Sequence, residues 1–139
     1  MTKEDAKQIA DLINERNQLT KKQQSNDILF NKDSYVFIKD DDKIIACAES
    51  KQIQWYQYEI CHVSIHKDYE GKRFGTKILK LAENIVKNNN GKIIQCTIRS
   101  NNENSIRLFT RKGYNEVNKF FNPKSENWIN IYQKIISIE

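Results

Sequence analysis

The chain has 139 residues, a formal net charge of +5, 38% hydrophobic residues and 10% aromatic residues. These values are typical of one globular domain with its own hydrophobic core, and they argue against a disordered or fibrous chain. The positive charge favours anionic ligands, but the lysines and arginines are spread along the chain, so the composition does not indicate nucleic-acid binding.

Membrane and metal binding are not expected from the sequence. No apolar run approaches the roughly 20 residues that a membrane-spanning helix needs. The N-terminus, Met1-Thr2-Lys3-Glu4-Asp5, is charged and contains no apolar signal segment, so we expect a cytoplasmic protein. The three cysteines, Cys47, Cys61 and Cys96, are far apart, and neither histidine has a partner at ligand spacing. This pattern predicts buried free thiols and no metal site.

The first part of the chain predicts two helices followed by a β-hairpin. Periodic apolar residues predict a helix over 3–18, capped by Thr2, and a weaker helix over 21–30. Alternating apolar residues then predict strands over 34–39 and 43–49, joined by a polar turn.

The middle of the chain predicts a strand, a helix and a second strand. The strand is expected over 54–65, the helix from Phe74 to Asn90, and the next strand over 92–99. Gly91 is expected to end the helix in a left-handed conformation. A strand–helix–strand unit implies a parallel strand pair joined by a right-handed crossover.

The last part predicts one more helix and a closing pair of strands. Ser100 is expected to cap a helix that stops at Gly113. Strands are expected over 114–121 and 128–136. The whole chain, 1–139, is therefore predicted to be a single mixed α/β domain with a mostly antiparallel central sheet and flanking helices.

The most informative segment is Glu70–Thr76, which reads Glu-Gly-Lys-Arg-Phe-Gly-Thr and connects a predicted strand to a predicted helix. Such a turn gathers free backbone N–H groups at the positive end of the helix dipole. Lys72, Arg73 and Lys77 add full positive charges. This combination predicts a binding site for a phosphate or pyrophosphate.

A second motif follows about 30 residues later. It begins at Asn102, continues through Ser105, Leu108 and Phe109, and ends at Gly113-Tyr114. Together with Gly75 of the phosphate turn, it resembles the GNAT superfamily of acyl-CoA-dependent N-acetyltransferases. Phe109 stands where that family usually has a tyrosine that protonates the leaving thiolate.

The resemblance implies acetyl-CoA as co-substrate and a sheet in which two central parallel strands splay apart to admit the pantetheine arm. It assigns the pantetheine contacts to Val63 and Ile65 and the remaining cofactor contacts to the phosphate turn and the later helix. The implied cofactor-binding residues are Val63, Ile65, Glu70, Gly71, Lys72, Arg73, Phe74, Gly75, Thr76, Asn102, Phe109 and Arg111.

Two residues are candidates for the chemistry. Glu59, on the strand before the phosphate turn, is the candidate general base for the amine, because an ammonium must lose a proton before it can attack. The alternative is a carboxylate that only attracts a cationic substrate or has no role. Tyr114 could replace the missing acid at Phe109, or it could pack in the core. An acyl-enzyme route through Cys61 is conceivable, but no motif places a base beside it.

Other classes of function stay open at this point. Phe109 is compatible with a non-catalytic acyl-CoA sensor, and the net charge is compatible with a nucleic-acid-binding domain. The acceptor of an N-acetyltransferase could be a small molecule or a protein amine. The acidic residues Asp40, Asp41, Asp42 and Glu49 would favour a cationic acceptor, although a solvated turn explains the three aspartates more simply. The sequence is compatible with a monomer or a homodimer.

Overall fold

The computed structural model describes residues 1–17, 19 and 21–136, and its helices and strands follow the predicted order. In chain order the elements are α1 (Lys3–Arg16), α2 (Ser25–Phe30), β1 (Tyr35–Asp40), β2 (Lys43–Gln52), β3 (Gln57–Ile65), α3 (Phe74–Asn88), β4 (Ile93–Arg99), α4 (Glu103–Arg111), β5 (Asn115–Asn122) and β6 (Asn127–Ile135). Among the described residues, none of these helices has the length and apolarity required to cross a membrane.

The six strands form one sheet in the order β1-β2-β3-β4-β6-β5. β1 pairs with β2, β4 with β6, and β5 with β6, all antiparallel, whereas β3 and β4 are parallel. The parallel register pairs Gln57 with Ile93, Tyr58 with Ile94 and Glu59 with Gln95. The predicted mixed α/β fold, with a mostly antiparallel sheet that contains one parallel pair, is confirmed. The splaying of this pair stays a prediction.

The contacts within the chain divide it into two compact units. Unit 1 comprises Met1–Lys51 and Ile60–Ile85, and unit 2 comprises Gln52–Glu59 and Val86–Glu139. The boundary falls within strand β3 and helix α3, so each of these elements contributes residues to both units. The assignment of the whole chain to one domain stays a prediction.

Unit 1 is built around the apolar face of α1. Thr2 and Asp5 cap this helix reciprocally, as predicted, because each side chain accepts a hydrogen bond from the backbone N–H of the other. Asp5 is buried and pairs with Lys39, whose hydrogen bond lowers the pKa of the Asp5 carboxyl. The core of this unit consists of Ala6, Ile9, Ala10, Leu12 and Ile13 of the helix together with Ile28, Tyr35, Ile44 and Cys47.

Unit 2 contains the β4-β6-β5 part of the sheet and helix α4. The prediction that Ser100 caps α4 is wrong, because the Asn102 side chain accepts the hydrogen bond from the Ser105 N–H. Ser100 instead donates its hydroxyl to Asn130 on β6. Asn102 therefore supplies the short polar side chain that a helix start requires.

Two element boundaries differ from the prediction. The second helix begins only at Ser25, and β3 begins at Gln57 instead of residue 54. Trp55, predicted to start the strand, lies in the preceding connection with 71% of its surface exposed. Backbone hydrogen bonds between Gln54 and Gln57 close a turn there, and the strand begins where this turn ends.

The end of α3 also differs from the prediction. Asn90, and not Gly91, takes the left-handed conformation, with φ of 60°. Gly91 is required for a different reason, since a Cβ atom at this position would lie 2.4 Å from Val86 Cγ1 and 2.9 Å from Tyr58 Cδ1. The glycine therefore permits the close approach of the chain to these two side chains.

We expect Gly91→Ala to lower the free energy of unfolding by about 1 to 3 kcal/mol, because the new methyl group overpacks a buried site. Chemical denaturation of the wild type and the variant measures this difference. The double variant Gly91→Ala/Val86→Ala is the matched test, because removing the Val86 methyl groups should relieve the clash and make the two costs less than additive. Simple additivity would contradict this explanation.

Candidate functional site

The phosphate turn predicted at Glu70–Thr76 connects β3 to α3 through a backbone with two left-handed residues. Gly71 has a φ of 74° and Arg73 a φ of 67°. The i→i−4 bonds of α3 start with the Lys77 N–H, which donates to the Arg73 carbonyl at 3.2 Å. The N–H groups of 74–76 precede this bond and have no acceptor within the helix, so the turn presents them at the positive end of the α3 dipole.

Positive side chains surround this turn and rest on aromatic rings. Lys72 Nζ lies 5.6 Å from the ring centre of Tyr69, and Lys77 Nζ lies 4.9 Å from that of Phe74. The side chains of Lys72, Arg73 and Lys77 are all exposed. Cation–π attraction holds the two ammonium groups near the rings and therefore near the start of α3.

The turn is fastened to the rest of unit 1 at its beginning. The Glu70 carboxylate pairs with Arg16 at the end of α1, and the Tyr69 hydroxyl donates to Asp40 at 2.5 Å. The His66 N–H donates to the Ile45 carbonyl at 2.8 Å. The charge of Glu70, a predicted cofactor contact, is thus engaged by Arg16, and its contact with the cofactor stays a prediction.

The end of β3, which carries Val63 and Ile65, leads directly into the turn. Both side chains are half-buried, whereas Ser64 between them is buried and receives a hydrogen bond from Asn17 at 2.7 Å. His62 has a φ of 56°, which is rare for a residue with a side chain. The strand is thus irregular at His62, immediately before the residues to which the resemblance assigns the pantetheine contacts.

Glu59, the candidate base, belongs to unit 2. It is half-buried and lies opposite Gln95 in the parallel register. Its charge acts on a neighbouring thiol, because burial first and the Glu59 carboxylate second raise the pKa of Cys96 to about 12. The Glu59 carboxylate therefore lies close to Cys96 on β4.

Helix α4 and the residue after it hold the second motif. Phe109 and Tyr114 are 3% and 1% exposed, and their rings meet edge to face with centres 5.0 Å apart. Lys134 Nζ lies 5.4 Å from the Tyr114 ring centre. Gly113 between them has a φ of 92°, which confirms it as the predicted stop of the helix. Tyr114 has the surroundings of a core aromatic, and its role as proton donor stays a prediction.

The other two α4 candidates lie at opposite ends of this helix. Asn102 is its N-cap, and Arg111 is the exposed basic residue in its last turn. Both positions follow from helix physics alone, since a short polar side chain suits the first position and a cation suits the last. Their cofactor contacts stay predictions.

The cysteines differ in accessibility. Cys47 and Cys96 are buried as predicted, and burial raises the pKa of the Cys47 thiol to about 12. Cys61 is only half-buried, so the prediction of three buried thiols is wrong at this residue. Within the part of the chain that the structure describes, no three His, Cys, Asp or Glu side chains are grouped to hold a metal ion.

The predicted site residues fall into two groups. Val63, Ile65 and the whole turn lie in unit 1, and Glu59 with the α4 candidates and Tyr114 lies in unit 2. Sequence reasoning missed Tyr69 and Arg16, which position the turn. Tyr69 is adjacent to the motif and could have been noticed, whereas Arg16 lies 54 residues from Glu70 and carries no local signal.

Solved structures resemble this fold along nearly the whole chain. One is the NatC complex bound to Gag peptide and CoA, with 14% identity, a TM-score of 0.84 and coverage of 98% of this chain and 93% of that chain. The ribosomal-protein-S18-alanine N-acetyltransferase of Escherichia coli has 16% identity, a TM-score of 0.76 and coverage of 100% and 92%. A GNAT family acetyltransferase of Elizabethkingia anophelis with acetyl-CoA bound has 13% identity and a TM-score of 0.75, and the match covers 91% of this chain and 89% of that chain.

No curated protein matches this sequence significantly. The family described as "Acetyltransferase (GNAT) family" matches residues 6–114, a span that includes the phosphate turn and the second motif. This match covers well over half of the chain, and the chain therefore belongs to the GNAT family of acetyltransferases.

Proposed function

We propose that this protein is an acetyl-CoA-dependent N-acetyltransferase that transfers the acetyl group directly to a primary amine. The observation that carries the proposal is the phosphate turn. In a chain of the GNAT family, it combines two left-handed residues, the first N–H groups of α3 and exposed cations. The chemistry of this turn fits the pyrophosphate of acetyl-CoA, which needs several N–H donors and nearby positive charge.

Arg73 contributes to this fit in two ways. It adopts the left-handed conformation that glycine takes most readily, with φ of 67°. Its exposed guanidinium adds a positive charge beside the N–H groups of the turn. Arg73, Lys72 and Lys77 are the side chains that we assign to the phosphate oxygens.

The pantetheine arm is assigned to the end of β3. An amide-rich arm can bind to a strand as an additional strand would, by exchanging N–H···O=C bonds with its backbone. Val63 and Ile65 are suited to this role because they lie between the irregular residue His62 and the phosphate turn. The thioester would then follow the strand away from the pyrophosphate.

In the proposed reaction the neutral amine nitrogen attacks the thioester carbonyl. A C–N bond forms, the C–S bond breaks, and the CoA thiolate leaves. Before the attack, the ammonium form of the amine must lose a proton. Glu59 is the proposed general base that takes this proton, because it is a half-buried carboxylate in the parallel register of β3 and β4.

The leaving group needs less help than the nucleophile. A simple thiol has a pKa near 8.5, so the CoA thiolate can leave without full protonation at neutral pH. Phe109 cannot donate a proton, and we assign the reprotonation to water, with Tyr114 as the alternative donor. The burial of Tyr114 favours water for this role.

A non-catalytic acyl-CoA sensor is the second candidate function. The specific observation in its favour is Phe109, which is buried against Tyr114 and leaves the usual acid position without a hydroxyl. A sensor would bind acetyl-CoA and release no CoA with any amine, so turnover separates the two functions.

The acceptor class is part of the proposal. The E. coli relative is named for a ribosomal-protein alanine, and the NatC complex is bound to a peptide, which supports a protein or peptide amine. Sequence identities of 14% and 16% do not determine the substrate, so small primary amines should be tested as acceptors together with peptide amines. We propose that the enzyme acts as a monomer or a homodimer.

Acetyl-CoA and CoA should each raise the melting temperature, whereas ATP and NADH should not. A ligand at 100 times its dissociation constant stabilises by about 2.7 kcal/mol, which corresponds to several degrees for a domain of this size. Lys72→Gln should weaken CoA binding about tenfold through the loss of one charge-assisted contact. Lys87→Gln, the same change at the other end of α3, is the matched control. Failure of both CoA species to stabilise would overturn the proposal.

Glu59→Gln should lower kcat about 100-fold or more at pH 7 without changing acetyl-CoA affinity. The loss should shrink as the pH rises, because a larger fraction of the amine is then already neutral. Release of CoA with the best acceptor of a primary-amine panel measures both effects, and Glu116→Gln on exposed β5 is the control. An unchanged kcat at pH 7 would remove Glu59 from the mechanism.

Phe109→Tyr should leave kcat unchanged or raise it, because the new hydroxyl stands at the position of the usual acid. Some loss of melting temperature is expected, since a hydroxyl enters a buried site. Phe109→Leu is the control for lost ring packing. A large fall in kcat for Phe109→Tyr, with normal folding and acetyl-CoA binding, would contradict this account of the acid.

A further inference from the structure

The end of the sheet that β5 forms carries exposed apolar side chains. Among the described residues β5 pairs with β6 on one side, and it is the last strand in the order of the sheet. Nine large apolar side chains are exposed in the part of the chain that the structure describes, and five of them lie on β5 and β6: Val117, Phe120, Phe121, Trp128 and Ile135. An edge strand of this composition is suited to pairing with another strand.

The two phenylalanines of β5 lie on opposite faces of the sheet. Phe121 is opposite Trp128 on β6, and their ring centres are 5.6 Å apart. Phe120 is opposite Ile129, and its ring is on the other face because successive residues of a strand point to opposite sides. A helix packed on one face would leave one of the rings in water. A strand added at the edge of β5 would cover both rings, since it brings side chains to both faces.

The part of β5 that can pair regularly is short. Its register with β6 shifts between Glu116 and Asn118, so the strand is irregular at Val117, and such irregularities interrupt pairing at sheet edges. Residues 118–122 pair with β6 without a shift. They are followed by Pro123, which has no N–H to donate. The free edge therefore offers residues 118–122 to a partner strand.

This segment is complementary to a second copy of itself. In an antiparallel pair of identical strands, one residue lies opposite its own copy and the others pair in reverse order. With Phe120 on this axis, Lys119 of one copy faces Phe121 of the other, so an ammonium group meets a ring. Asn118 then faces Asn122, and two amides meet. An axis at any other residue would leave part of the segment without a partner, and an axis at Lys119 would also place two ammonium groups opposite each other.

The backbone groups suit the same register. The Lys119 N–H donates to Asn118 Oδ1 at 2.8 Å, a local bond of the kind that satisfies an N–H group without a strand partner. Alternate residues of an edge strand turn their N–H and C=O groups to the free side, so we assign those of Lys119 and Phe121 to this side. With Phe120 on the axis, these two residues lie opposite each other, and each such pair would exchange two N–H···O=C bonds.

The exposed area and the charges fit a weak association of identical chains. Phe120 and Phe121 are each 46% exposed, so two copies would cover about 400 Å² of ring surface. This area corresponds to a small interface, below about 1,200 Å² in total. Beyond the paired segment, the reverse order brings Glu116 of each copy toward Lys124 of the other, so opposite charges flank the pair at both ends.

We infer that this protein forms a two-fold symmetric homodimer in which the β5 strands of two copies pair antiparallel about Phe120. In the dimer β5 is no longer an edge strand, and its two phenylalanine rings are covered on both faces. The interaction surface lies outside the residues assigned to acetyl-CoA and to catalysis, so the inference does not rest on the proposed function.

Sedimentation equilibrium of the full chain between about 5 µM and about 1 mM measures the association, and we expect a dimer with a Kd in the micromolar range. Phe120→Lys should weaken dimerisation at least about tenfold, because it removes two rings and places two ammonium groups on the axis. Phe30→Lys, the same change at an exposed phenylalanine of α2, is the matched control and should leave the Kd unchanged. A wild-type chain that stays monomeric over this range, or a Phe120→Lys variant that associates as tightly as the wild type, would overturn the inference.

Phe120→Cys tests the register itself. The two introduced thiols would lie opposite each other with Cβ atoms about 4.5 Å apart, which is close enough for a disulfide. Mild oxidation should convert this variant to a covalent dimer on a non-reducing gel. The wild type, which controls for the three natural cysteines, and Val117→Cys should stay monomeric on the same gel. No cross-link for Phe120→Cys, or equal cross-linking of Val117→Cys, would contradict a pair centred on Phe120.

Separate measurements decide this inference and the proposed function. Association without any ligand tests the dimer, whereas stabilisation by acetyl-CoA and release of CoA with amines test the function. A dimer that does not bind acetyl-CoA would overturn the function alone. A chain that releases CoA but stays monomeric would overturn the inference alone.

Discussion

The parallel pairing of β3 with β4 is the constraint on which the rest of this structure depends. Two parallel strands cannot be joined by a tight hairpin, so the chain needs a crossover, and α3 provides it. A helix that follows a strand must begin with N–H groups that have no acceptor within the helix. The phosphate turn is therefore a direct consequence of the sheet topology, and its lysines and arginine add charge to donors that the topology already supplies.

Left-handed residues occur at several points where the chain changes direction, and most of them are not glycines. Arg73, His62 and Asn90 have φ values of 67°, 56° and 60°. This conformation costs a residue with a side chain roughly 1 to 2 kcal/mol, so each must be held by its surroundings. At Asn90 the reason is structural, since asparagine tolerates this conformation at the end of a helix. Arg73 takes it within the phosphate turn, and His62 takes it in β3, where the strand is irregular.

The polar groups of unit 1 show how a sheet can carry chemistry without losing its core. Glu49 lies on a strand whose residues 44–48 are buried, and Tyr35 satisfies one of its oxygens. Cys47 on the same strand is buried, with its pKa raised to about 12, so it remains a thiol and contributes only packing. The same strand therefore holds an inert thiol and a carboxylate that Tyr35 stabilises, and both are accommodated within the sheet.

Local patterns in the sequence determined the order of the helices and strands, the phosphate turn and the crossover helix, because periodicity and turn chemistry act over a few residues. They also sufficed for family membership, since both motifs are continuous segments. They were insufficient where two neighbouring residues could play the same structural role. Asn102, and not Ser100, caps α4, and Asn90, and not Gly91, takes the left-handed conformation at the end of α3. Only the tertiary structure decided that Arg16 holds Glu70 and that Tyr35, Glu49 and His62 meet on neighbouring strands. Such contacts join residues far apart in the chain, and they depend on strand order and register, which no local pattern specifies.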